Sequence, residues 1–181
     1  MSNLLILGYQ VRVNVLSSEQ YGDPQKRRRL ILLAARSDCK LPEMPQPTHG
    51  PGRLPIMTCK DALNMFENEL PKSKSSGAVY FNSTVIFNHI VPSRQPGKGD
   101  DYELIEDEPS RTILARSRPY LHYNGERFIS VREAACLQSF PITYRFFGSL
   151  TQQYAQVGNA VSVKLATAIA RSVATVHGCA V

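Results

Sequence analysis

The chain has 181 residues, of which 43% are hydrophobic and 20% charged, so it is long and apolar enough to form one compact core. Its formal net charge of +6 favours an anionic partner, with a merely basic surface as the alternative. The cysteines Cys39, Cys59, Cys136 and Cys179 are too far apart for a Cys-x-x-Cys zinc site or an evident disulfide framework, and no apolar run is long enough to cross a membrane.

The N-terminal part of the chain predicts two β-strands. Met1 to Leu7 is apolar without a basic start, which is typical of the end of an element whose beginning is missing rather than of a signal peptide. Tyr9 to Leu16 alternates valines with polar residues and predicts a half-buried strand. Arg29 to Arg36 contains a continuous apolar run that is typical of a strand covered on both faces, which two strands alone cannot provide.

The middle of the chain has weaker patterns. Ser37 to Pro55 is rich in proline and polar residues and predicts a loop. Lys60 to Glu69 predicts a short helix. Strand-like residues follow in Ala78 to Ile90 and again in Arg111 to Ala115.

Two helices are predicted near the C-terminus. Ser130 to Gln138 opens with Ser-Val-Arg-Glu, the spacing of a capping box. Ala160 to Val173 has apolar residues at every fourth position, and Asn159 is a good N-cap for it. Helix capping alone explains both segments, although free N–H groups at a helix N-terminus also favour an acidic or polar ligand.

The segment between the two strands carries a basic cluster. If the second strand begins there, period two places Gln25, Arg27 and Arg29 on one face and Lys26 and Arg28 on the other. A fixed row of one glutamine and two arginines suits recognition of a phosphate or of a planar group rich in oxygen. The alternative is an exposed basic corner without a ligand.

Three segments, in order, resemble motifs of the DNA cytosine-5 methyltransferases. Tyr-Gly-Asp-Pro-Gln-Lys-Arg-Arg-Arg-Leu-Ile-Leu is similar to the eighth motif, whose core is Gln-x-Arg-x-Arg. Arg-Glu-Ala-Ala-Cys-Leu-Gln-Ser-Phe-Pro is similar to the ninth motif and Gln-Val-Gly-Asn-Ala-Val to the tenth. The linker from Leu41 to His49 also fits, and the resemblance is weakest from Pro51 to Asp101.

The resemblance implies an α/β chain that forms part of the Rossmann-like fold of S-adenosylmethionine-dependent methyltransferases. Residues 1–48 would be the C-terminal strands of the catalytic domain, forming an edge hairpin. Residues 49–123 would be a small target-recognition region. Residues 124–181 would hold the ninth and tenth motifs and return to the catalytic domain.

The resemblance also implies a reaction and catalytic residues. The family transfers a methyl group from S-adenosylmethionine to carbon 5 of a cytosine that is flipped out of the DNA duplex. By position, Arg29 would face the flipped cytosine near its carbonyl oxygen. Arg27 and Gln25 would support that part of the site.

The remaining motif residues would serve the cofactor and the DNA. Asn159, Ala160 and Val161 would line one wall of the S-adenosylmethionine pocket. Arg132 and Glu133 would organise the DNA-reading domain or contact DNA, and no metal is expected. Basic residues of the recognition region that are candidates for phosphate contacts are Arg53, Lys72, Lys74, Arg94 and Lys98.

Several parts of the family pattern are absent from these 181 residues. There is no Phe-x-Gly-x-Gly cofactor loop, no Glu-Asn-Val, and no cysteine that follows a proline. We therefore expect the chain to be inactive alone and to pair with the N-terminal half of a methyltransferase. The alternatives are a fragment that binds DNA without chemistry, a remnant without function, and part of an enzyme from the branch that methylates transfer RNA. The motif wording resembles eukaryotic members, with a fungal origin as one option, which favours a nuclear location.

Overall fold

A computed structural model of the protein describes residues 2–67, 103–115, 120–125 and 127–177. The expected strand at Ala78 to Ile90 and the basic residues Lys72, Lys74, Arg94 and Lys98 lie outside these residues. Within them, no helix has the length and apolar character needed to cross a membrane. The elements are α1 (Ser2–Ile6), β1 (Tyr9–Ser17), a 3-10 helix (Ser18–Tyr21), β2 (Arg28–Arg36), α2 (Cys59–Glu67), α3 (Val131–Leu137), α4 (Leu150–Asn159) and α5 (Val163–His177).

Strands β1 and β2 form an antiparallel hairpin, with Tyr9 opposite Arg36 and Ser17 opposite Arg28. The two strands appear where the sequence predicts them. The face that carries Val15, Leu30 and Leu32 is open, because these side chains are 45%, 70% and 44% exposed. The apolar run of β2 is therefore covered on only one face by the part of the chain that the structure describes.

Helix α5 covers the other face of the hairpin. Leu16 from β1 and Leu165 from α5 are buried there together with Tyr21, and Ile31 and Ile169 pack against them. The apolar stripe of α5, which recurs at every fourth residue, supplies this contact. The stripe thus packs on the antiparallel hairpin.

A second and larger core lies around α2, α3 and α4. Capping boxes define the start of α3, where Ser130 pairs with Glu133, and the start of α4, where Ser149 pairs with Gln152. The buried side chains of this core include Cys59, Leu63, Ile113, Ile129, Val131, Leu137, Phe146, Tyr154 and Val157.

Two secondary-structure predictions are wrong, one for the start of the last helix and one for a strand. The last helix begins at Val163, and Asn159 is the final residue of α4 rather than an N-cap, because the capping box at Ser149 starts a separate helix that uses the preceding residues. Residues 111–115 do not form a strand. Only Ser110, just before them, forms a backbone bridge to Gln25. The amide of Ile113 donates to the side chain of Gln25 and not to a neighbouring backbone.

Candidate functional site

Gln25 joins the segment before β2 to two other parts of the chain. Its side chain is fully buried. Its Oε1 accepts a hydrogen bond from the Ile113 amide at 2.8 Å, and its Nε2 donates to the carbonyl of Leu137 at 3.4 Å. The amide group therefore fixes the start of the Gln-x-Arg-x-Arg segment against the end of α3.

Arg27 connects the same segment to the end of α4. Its guanidinium donates to the carbonyls of Ile113 at 2.9 Å, Gly158 at 2.7 Å and Ala160 at 2.9 Å. The positive charge thus lies against the C-terminal carbonyls of a helix, where the helix dipole favours a cation. Burial, and secondarily the nearby charge of Arg29, lowers the pKa of Arg27 to about 10, so the group stays charged at neutral pH.

Arg29 lies on the same face as Arg27, two residues further along the chain and within β2. It is half-buried, whereas Lys26 and Arg28 on the opposite face are exposed, as period two predicts. One Arg29 Nη donates to the carbonyl of Arg28 at 2.7 Å. Among the described residues, its other N–H groups make no hydrogen bond, so they remain available to a ligand.

The turn between α4 and α5 is exposed on its outer side. Asn159 and Val161 are exposed, Val161 to 47%, and Ala160 is half-buried. Gly158 lies behind them, where a Cβ atom would overlap the backbone of Leu114 and Ala115. A glycine is therefore required for the close approach of that segment to α4.

The sequence predicts no role for Asp23 of the Tyr-Gly-Asp-Pro segment, yet its carboxylate is fully buried beside the same site. It accepts hydrogen bonds from the hydroxyls of Ser139 and Ser162. Burial raises the pKa of the Asp23 carboxyl, while these hydrogen bonds and the charge of Lys164 act in the opposite direction. No local sequence pattern predicts that Asp23 is buried, because its hydrogen-bond partners lie far away in the sequence.

Arg132 and Glu133 are fully buried and contact the chain itself. Arg132 donates to the carbonyls of Pro141 and Tyr144. Glu133 completes the capping box and accepts two hydrogen bonds from Arg127 at 2.7 and 2.8 Å. This burial favours the structural alternative for both residues over direct contact with DNA.

Arg27 therefore brings the predicted cytosine side and the predicted cofactor side of the site together.

The chain belongs to the family described as C-5 cytosine-specific DNA methylase, whose sequence model matches residues 1–175. Membership implies S-adenosylmethionine as the methyl donor. Among the described residues, no group of three or more His, Cys, Asp or Glu side chains could hold a metal ion.

Individual relatives match most of this chain. The type II methyltransferase M1.HphI of Haemophilus parahaemolyticus is 31% identical over 186 residues, which cover 92% of this chain and 48% of the relative. DNA (cytosine-5)-methyltransferase 3 of Arabidopsis thaliana is 25% identical over 94% of this chain and 18% of its own length. The chain thus spans about half the length, or less, of these curated relatives.

Solved structures share the fold. A putative DNA modification methyltransferase encoded within a prophage of E. coli has a TM-score of 0.70 at 17% identity, covering 98% of this chain and 63% of that one. The S. pombe Dnmt2 methyltransferase has a TM-score of 0.58 at 15% identity, covering 98% and 61%. The expected α/β fold, a partial Rossmann-like methyltransferase fold with a hairpin and C-terminal helices, is confirmed.

The exposed turn offers both apolar and hydrogen-bonding groups to a ligand. Val161 offers apolar surface, which suits a nucleoside ring, and the Asn159 amide is exposed beside it. Within the described residues, the Asn159 side chain makes no hydrogen bond, so its donor and acceptor are available. These residues fit the cofactor but supply only one side of a pocket.

Proposed function

We propose that this chain is the C-terminal part of a DNA cytosine-5 methyltransferase, which transfers a methyl group from S-adenosylmethionine to carbon 5 of cytosine in DNA. The observation that carries the proposal is the set of hydrogen bonds from Arg27 to Gly158 and Ala160. These bonds hold the strand that carries Arg29 against the Asn159 to Val161 turn. A base next to Arg29 and a methyl donor on the turn would thus share one site.

Each residue of the site has a distinct role in the proposal. Arg29 donates its available N–H groups to the cytosine carbonyl oxygen and so orients the ring. Arg27 and Gln25 do not touch the base but hold Arg29 and the turn in place. Asn159, Ala160 and Val161 bind the cofactor, which supplies the electrophilic methyl group when bound.

The rest of the site comes from polypeptide outside these 181 residues, because the nucleophilic Pro-Cys and the Glu-Asn-Val acid are absent from them. The open face of the hairpin, with Val15, Leu30 and Leu32, is where we expect that polypeptide to pack. The apolar residues Leu5, Ile6 and Leu7 beside it are 55%, 82% and 71% exposed. Such a concentration of exposed apolar side chains is typical of a surface that another segment covers. The chain alone is then inactive.

The test is a complementation assay. The chain is combined with the part of the 31% identical bacterial relative that it does not match, which we call the complementing segment, and transfer of labelled methyl groups to duplex DNA is measured. Methyl transfer is expected from the mixture and from neither part alone. Arg29→Ala should reduce transfer by about a hundredfold or more, since it removes a charged donor in the site. Arg171→Ala, at an exposed position of α5 away from the open face of the hairpin, is the matched control and should retain activity. A folded, associated mixture that transfers no methyl groups would contradict the proposal.

One alternative function has a specific observation in its favour. The net charge of +6 suits a fragment that binds DNA without chemistry. Binding of the chain alone to duplex DNA, with an affinity that falls steeply as salt rises, would support this alternative. Replacing DNA with transfer RNA in the complementation assay distinguishes the two substrate classes. A nuclear location remains a proposal, to be tested by imaging the tagged protein in its own cells.

A further inference from the structure

Asp23 connects three segments of the chain. From its place before β2, its carboxylate accepts hydrogen bonds from the hydroxyls of Ser139, just after α3, and of Ser162, just before α5. Ser139 has a φ of 58°, a left-handed conformation that is uncommon outside glycine and that places its hydroxyl on Asp23. One side chain thus ties the segment before β2 to the end of α3 and to the start of α5.

The surroundings of Asp23 favour a negative charge. A carboxylate at the N-terminus of a helix is favoured by the helix dipole, and α5 begins next to it. Lys164 lies nearby and donates to the carbonyl of Gly22 at 2.7 Å. A buried carboxylate is costly unless hydrogen-bond donors reach it, and the hydroxyls of Ser139 and Ser162 meet that condition.

Asp23 and Arg27 hold opposite ends of the same turn. Arg27 binds carbonyls at the end of α4, while Asp23 binds the residues that begin α5. A cation therefore lies behind one end of the Asn159 to Val161 turn and an anion behind the other. Both come from one short segment, which itself is fixed by Gln25.

We propose that Asp23 is a positioning residue for the methyl donor: it fixes the start of α5 so that Asn159 and Val161 face the donor in one conformation. The inference rests on the proposed function of this turn. Asp23 itself does not contact the donor. A turn that is already ordered loses less conformational entropy when a ligand binds, so its affinity for the ligand is higher.

The first test needs only the 181-residue chain. Amide hydrogen exchange of residues 159–165 is compared between the wild type and Asp23→Asn, which keeps the shape but loses the charge and one acceptor. We expect exchange at the turn to accelerate by about tenfold or more, since bonds to a charged acceptor are lost. Asp38→Asn is the matched control, because Asp38 is an exposed carboxylate at the far end of the hairpin. If Asp23→Asn does not fold, Ser162→Ala removes one of the same bonds more mildly and should show a smaller local acceleration.

The second test measures donor affinity in the chain assembled with its complementing segment. The dissociation constant for S-adenosylhomocysteine should rise by about tenfold in Asp23→Asn, while kcat at saturating donor and the KM for DNA stay within about twofold of the wild type. Asp23→Glu, which keeps the charge, should recover part of the affinity.

The outcomes separate the two proposals. Unchanged exchange at the turn, or faster exchange with unchanged donor affinity, overturns the positioning role while leaving methyl transfer intact. If the wild-type assembly binds no donor at all, the proposed function fails first, and the exchange result shows whether Asp23 still fixes the turn.

Discussion

Arg27 offers the sharpest test of how the site is held together. Arg27→Met keeps most of the side-chain length but removes every donor. The carbonyls of Ile113, Gly158 and Ala160 would then lose their shared partner. The variant therefore removes the link between β2 and the turn after α4. Arg29 and the turn residues Asn159 to Val161, which are predicted to bind ligands, stay unchanged.

The expected cost follows from these three hydrogen bonds. A hydrogen bond from a charged donor contributes about 1.5–3 kcal/mol, so three would give roughly 4.5–9 kcal/mol if each were lost completely. One of the acceptors, the carbonyl of half-buried Ala160, borders an exposed turn and can bind water instead. The variant also avoids the cost of burying a cation. A net loss of about 3 kcal/mol is therefore expected, which a domain of ordinary stability survives.

The assay is urea unfolding of the 181-residue chain, followed by circular dichroism. Arg28→Met is the matched control, because Arg28 is the next residue along and is exposed on the opposite face; its effect should stay within about 0.5 kcal/mol. Equal stabilities for the two variants would refute the role assigned to Arg27.

Further predictions concern packing, the buried ion pair and the thiols. Gly158→Ala should destabilise the chain by about 3 kcal/mol or more, since the new methyl group meets backbone that cannot move aside, and thermal unfolding will show this. Arg127→Met should cost about 3 kcal/mol in the same measurement, because the buried carboxylate of Glu133 loses its guanidinium partner; Arg127→Lys should cost less. Burial raises the pKa of Cys59 to about 12, so at pH 8 its thiolate fraction is only about 1 in 10,000, while Cys39 is exposed. Iodoacetamide followed by peptide mapping should therefore modify Cys39 long before Cys59, and similar rates would show that the core around α2 opens readily.

Local sequence patterns were enough to predict part of the site. The burial of Gln25, Arg27 and Arg29 alternates with the exposure of Lys26 and Arg28, as period two predicts, although β2 itself begins only at Arg28. The capping box at Ser130 and Glu133 follows from a fixed spacing of two polar residues. Both signals depend only on neighbours within a few positions of the chain.

The features that were missed depend on distant contacts. Asp23 binds hydroxyls that lie 116 and 139 positions away in sequence. No periodicity carries that information. The sequence does not predict α4 although Ser149 and Gln152 have capping-box spacing, because Gly158-Asn159, which ends α4, has the pattern of a helix start. The apolar run of β2 predicts that both faces of the strand need cover, which the hairpin alone cannot provide. Which face stays open depends on where α5 packs, and the run does not carry that information.

The most direct test of the central claim is where the methyl donor binds. The chain is labelled with ¹³C in its valine methyl groups, assembled with the unlabelled complementing segment, and titrated with S-adenosylhomocysteine while methyl spectra are recorded. Val161 should shift with the donor, whereas Val15, on the open face of the hairpin, should shift when the complementing segment is added and not afterwards. Binding of the donor with no change at Val161 would show that the turn after α4 is not a wall of the site.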